Sequence, residues 1–102
     1  MPLYEKTVAV DEDWREIAAY TLKRYGEDQL RKYTKDLTKC FEDMAKGKGH
    51  FKEIKVQKHK VRVKHCQKHY VFGLIRNNKP MLIIAIYHER MDLIKRLKKR
   101  LH

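Results

Sequence analysis

The chain has 102 residues, with 25 Lys and Arg against 13 Asp and Glu, six His, two Cys, four Gly and two Pro. That length makes one ordinary domain, able to bury roughly 60–70% of the surface its unfolded chain exposes, and it leaves little room for a two-domain enzyme or a large substrate cavity. Hydrophobic residues at 42% support a folded core, and charged residues at 37%, against a usual ~25%, give an unusually ionic surface. The longest apolar run, Met81–Tyr87, is far short of the ~20 residues of a membrane helix, and MPLYEKTVAV lacks the regions of a signal peptide. Cys40 and Cys66 form no CxxC pair, so reduced thiols and a cytoplasmic location are expected.

In chain order, Leu3–Val10 ends in the β-branched run TVAV and predicts a strand. Asp11 offers an N-cap, with Glu12, Asp13 and Glu16 placed to suit the start of a helix dipole. Trp14, Ile17, Ala18, Thr21, Leu22 and Tyr25 follow on one helical face. Gly26 stops that helix and Asp28 starts the next. The second helix carries Leu30, Tyr33, Leu37, Cys40, Phe41 and Met44 as a stripe until KGKG interrupts it. Beyond that loop the period changes from helical to alternating. Ile54 and Val56 point inward, and Lys60-Val-Arg-Val-Lys-His alternates strictly, with Val61 and Val63 on one side and Lys60, Arg62 and Lys64 on the other. His69–Ile75 and Met81–Tyr87, joined by Asn77-Asn-Lys-Pro, read as a central hairpin. Asp92 caps a final helix with Leu93, Ile94, Leu97 and Leu101 on one side and Lys95, Arg96, Lys98, Lys99 and Arg100 around the rest. The order is β-α-α-β-β-β-β-α: a single α+β domain spanning 1–102, helices packed on a largely antiparallel sheet.

Charge divides the chain unequally. Residues 1–45 hold eight Lys and Arg against ten acids, whereas residues 46–102 hold seventeen against three, with all six histidines. A half carrying +14 implies a positive surface suited to a polyanion, whether nucleic acid or an acidic protein segment. His59, His65, Cys66 and His69 fit no common zinc spacing, and alternation sends His65 and Cys66 to opposite faces, so no metal is expected. Trp14, Tyr25, Tyr33 and Phe41 have the spacing of core or hairpin-interface residues rather than a stacking platform. Tyr70 and Tyr87 are either packed with the hydroxyl at an edge or exposed. No phosphate-binding glycine loop, GxSxG or HExxH occurs, and no cofactor is expected.

Three segments in order, YEKTVAVDEDWREIAAYTLKRYGEDQLRKY, VRVKHCQKHYVFGLI and IIAIYHERMDL, resemble the RelE/ParE superfamily of type II toxin–antitoxin toxins. The last is close to the H-x-R-M-D ending of the ParE branch. The resemblance implies a small toxin neutralised by a cognate antitoxin in a hetero-oligomer, away from any membrane. ParE toxins of this kind poison DNA gyrase by binding and block replication; RelE toxins cut messenger RNA in the ribosome. For RNA cleavage, which needs proton transfer and cations around the phosphorane, the candidates are His88, Arg62, Lys64, Tyr87 and Arg90. Two departures oppose it. Tyr70 stands where RelE-like nucleases usually carry Arg, and the chain runs past His88 into Glu89 and a basic helix. The expectation is therefore inhibition by surface complementarity, with Lys60, Arg62, Lys64, His65, His88, Arg90, Lys95 and Arg96 meeting the gyrase–DNA complex. Trp14, Tyr25, Tyr33, Leu97 and Leu101 are expected to receive the antitoxin. Gly73 marks a bulge or a close backbone approach.

Overall fold

A computed structural model describes residues 2–101. Its elements are β1 (Tyr4–Lys6), α1 (Val8–Tyr25), α2 (Glu27–Lys46), β2 (Lys52–Val56), β3 (His59–Cys66), β4 (His69–Leu74), β5 (Met81–His88) and α3 (Leu93–Leu101). The order is the one the sequence predicts. Five strands form one sheet, β1-β5-β4-β3-β2, in which only β1 runs parallel to its neighbour. The α1–α2 hairpin covers one face and α3 the other, so the core lies in two layers.

The first expected strand is shorter than predicted. TVAV is not a strand: Thr7 Oγ1 accepts from Val10 N–H at 3.1 Å and starts α1 four residues before Asp11. Capping by the hydroxyl and burial of Val10 against the sheet override the β preference of Val8 and Val10. Gly26 closes α1 by donating to the Leu22 carbonyl and serves as the N-cap of α2. The stripe of α2 packs as predicted, with Tyr33, Leu37, Phe41 and Met44 buried. Gly47 ends α2 in the left-handed region (φ 71°), donating to Asp43 and Met44 carbonyls.

Strand faces follow the alternation. Val61 and Val63 belong to the α3 layer with Ile54 and Val56, whereas Cys66 packs beneath the hairpin. Between Phe72 and Gly73 the β4–β5 register slips: Phe72 pairs Ala85 and Gly73 pairs Ile83. Ile84 is the extra residue, and the bulge turns both Ile84 and Ala85 into the α3 layer. A Cβ at Gly73 would stand 2.6 Å from Met81 Sδ, so a larger residue there would force the Met81 side chain to move. Of the two alternatives expected at Gly73, the bulge is the one found, and the near neighbour is a side chain rather than backbone.

β1 covers β5 only from Met81 to Ile83. Beyond it the edge is closed by side chains. Ile86 N–H donates to Asp13 Oδ2 at 3.0 Å, and Arg100 donates to the Ile84 carbonyl and to both Asp13 oxygens. An acid of α1 and a base of α3 therefore complete a strand edge and tie the two helical layers together.

Candidate functional site

α1 has 18 residues, about 27 Å, and its last turns line the end of the sheet with the start of α2. The result is a cleft of about 930 Å³. Its helical wall carries Glu16, Tyr20, Arg24 and Tyr25, and its floor is Tyr33, Lys68, His69, His88, Glu89 and Arg90. Tyr20 and Tyr25 are 61% and 55% exposed. Tyr25, expected in the hairpin interface, stands open instead, because it is the last residue of α1 and lines the cleft.

At the base of the cleft Tyr33 Oη lies 2.6 Å from His69 Nδ1 and 3.4 Å from the Cys66 carbonyl. The His69 and His88 rings meet edge-on at 5.2 Å. Burial, then the neighbouring His88, pushes His69 down to about 4, so at neutral pH it is an uncharged ring. Burial pushes the Tyr33 hydroxyl up. His88 Nδ1 accepts from the Arg90 backbone N–H. Cys40 and Cys66 share a hydrogen bond that holds Cys40 below the ordinary thiol value. That bond, with burial, raises Cys66. Both cysteines are free.

Two cations of β3, Arg62 and Lys64, are committed elsewhere. Arg62 donates to the Met44 carbonyl at 2.6 Å and to Glu53 at 3.2 Å, with its guanidinium 4.9 Å from the Phe51 ring centre. Lys64 donates to the His50 carbonyl at 2.9 Å. Both pin the end of α2 and the following loop to the sheet. Strand spacing puts the Cα atoms of Arg62 and His88 about 16 Å apart, since Arg62 is opposite Gly73 and His88 opposite His69. Tyr87 faces the other layer, buried, donating to the Arg96 carbonyl at 3.4 Å and lying beneath Arg100. Of the five candidates for RNA chemistry, only His88 and Arg90 line the cleft.

The positive residues grouped by the sequence also divide between faces. Arg62, Lys64 and His88 belong to the hairpin side, and Lys60 shares their side by alternation. His65 lies on the α3 side, stacked on Tyr70 at 4.6 Å and bonded to Glu89 at 3.0 Å. Lys95 and Arg96 are exposed on α3. Among the residues expected to receive an antitoxin, Tyr33 and Leu97 are buried and support a surface rather than forming one. Trp14 and Leu101 are half-buried, and Tyr25 is open to a partner. Asp13, Arg100 and Arg76 are structural residues that the sequence reading missed. Arg76 bridges Glu5 at 2.8 Å and the Pro80 carbonyl. Each acts across a long sequence separation, which no local pattern signals. Among the described residues no group of three His, Cys, Asp or Glu is placed to hold a metal, and no helix is long and apolar enough to cross a membrane.

A strand, a helical hairpin and a four-stranded antiparallel run closed by a basic helix define a small α+β domain of the RelE/ParE kind. Residues 4–93 match the family model described as the ParE toxin of the type II toxin–antitoxin system, parDE. A relative named Toxin ParE, from Escherichia coli, is 40% identical over 101 residues, covering 99% of this chain and 98% of the relative. The chain belongs to the ParE toxin family, and it is a ParE-like toxin of a type II toxin–antitoxin pair.

Proposed function

We propose that the toxin acts in the cytoplasm by binding DNA gyrase on DNA and blocking its cycle, without a covalent step, and that a cognate antitoxin relieves the block. Family membership supplies the target class. The observation that supports binding over chemistry is the dispersal of the catalytic candidates: Arg62 and Lys64 hold a loop, and Tyr87 is packed on the opposite face. The target surface in this reading is the accessible set Lys60, His65, Arg90, Lys95 and Arg96. Tyr25, with the exposed Tyr20 on the same cleft wall, receives the antitoxin.

A supercoiling assay tests this directly. Folded toxin added to gyrase and relaxed plasmid is expected to stop supercoiling and to accumulate cleaved complexes, and the antitoxin to reverse both. Undiminished supercoiling, together with cutting of transcripts on translating ribosomes, would replace this reading with the RelE-like ribonuclease. The paired histidines of the cleft are the feature such a result would bring forward.

A further inference from the structure

The outward face of α3 displays four cations, Lys95, Arg96, Lys98 and Lys99, all exposed. At 100° per residue they cover an arc of about 160° centred opposite Leu97, the buried residue of the helix. Among the described residues none of these four side chains has an ion pair or a hydrogen bond; the α3 cation with partners is Arg100, held by Asp13 and the Ile84 carbonyl. The helix carries no acidic side chain, and its outer arc has no aromatic one. Protein–protein contacts are poor in Lys and rely on apolar or aromatic anchors. Nucleic-acid contacts are polar and strongly cationic. The ridge has the second character. It is nine residues long, about 13 Å, a straight rod held on the sheet by Leu93, Leu97 and Leu101.

We propose that this face of α3 binds the phosphate backbone of duplex DNA through those four side chains, with no reading of base sequence. The inference rests on the proposed function and deepens it: a toxin that holds gyrase on DNA gains a foothold on the DNA itself.

The test is fluorescence anisotropy of the full-length chain with labelled duplexes of two unrelated sequences over a salt series, without gyrase. Four neutralised phosphates give a slope of log K against log salt of about −3.6, equal for both sequences. Lys98→Ser is expected to reduce that slope by about 0.9, and the quadruple Ser variant at Lys95, Arg96, Lys98 and Lys99 to lose binding. The exposed Lys39→Ser on α2 is expected to leave it unchanged. Circular dichroism checks folding, and the single variants carry the test if the quadruple one unfolds. A slope unchanged in the Lys98→Ser variant, no binding at low salt, or displacement by polyglutamate in preference to duplex would overturn the proposal. Because gyrase is absent, a failure here is distinct from a failure to inhibit supercoiling.

Discussion

The two positive regions of this toxin have similar composition and different fates. On β3, Arg62 and Lys64 project from the strand face that meets α2, and their donors are taken by backbone carbonyls at the end of that helix and in the loop after it. On α3, four cations project away from a docked apolar stripe and meet only solvent. A count of charges treats the regions alike. What separates them is whether an orphan carbonyl lies within reach, and helix C-termini supply such carbonyls. Arg62 and Lys64 therefore hold the fold together, and Lys95, Arg96, Lys98 and Lys99 are available to a partner.

The largest expected effect lies at the join between the two layers. Asp13→Ala would orphan Ile86 N–H and leave the Arg100 guanidinium with the Ile84 carbonyl but no counter-ion, and the loss is expected to be about 3 kcal/mol, read as a lower urea midpoint. A loss below about 1 kcal/mol would mean that α3 is held by its leucines alone. Gly73→Ala drives a Cβ into Met81 and is expected to cost about 1–2 kcal/mol. In a double-mutant cycle Met81→Ala should recover part of that cost, and strict additivity would show that the contact does not matter.

A smaller effect appears as a slope with pH. His69 titrates at about 4 when folded and near 6.5 when unfolded, so the unfolded chain binds the extra proton first. Stability is complete above pH ~6.5 and falls as pH drops towards 4. His88, Glu89, His65 and Tyr33 face the ring and shape the curve. His69→Gln should flatten it, and an unaltered curve would remove His69 from the account. Smallest are the two charge tests. Arg62→Ala is expected to lower stability by about 1 kcal/mol, whereas Lys98→Ala should stay within about 0.5 kcal/mol. Equal losses would erase the contrast between the regions.

Much of the architecture was legible from periodicity. The α2 stripe, the alternation that separates Val61 and Val63 from Arg62 and Lys64, the central hairpin and the Asp92 cap, whose Oδ1 accepts from Lys95 N–H at 3.3 Å, all follow from local pattern. The start of α1 was not, because β-branched residues favour a strand until a Thr cap and core burial decide otherwise. The candidate site was less legible. Alternation gives the side of a strand but not what stands opposite, so it could not show that a helix end captures Arg62. Nor could it show that Asp13 and Arg100, 87 positions apart, finish one strand edge.

If the toxin acts by occupancy rather than turnover, the cleaved complexes trapped by a His88→Ala variant show it most directly. With gyrase and plasmid DNA, the variant should trap as many as the unaltered toxin at equal occupancy. Loss of trapping by a folded variant that still binds gyrase with full affinity would contradict it.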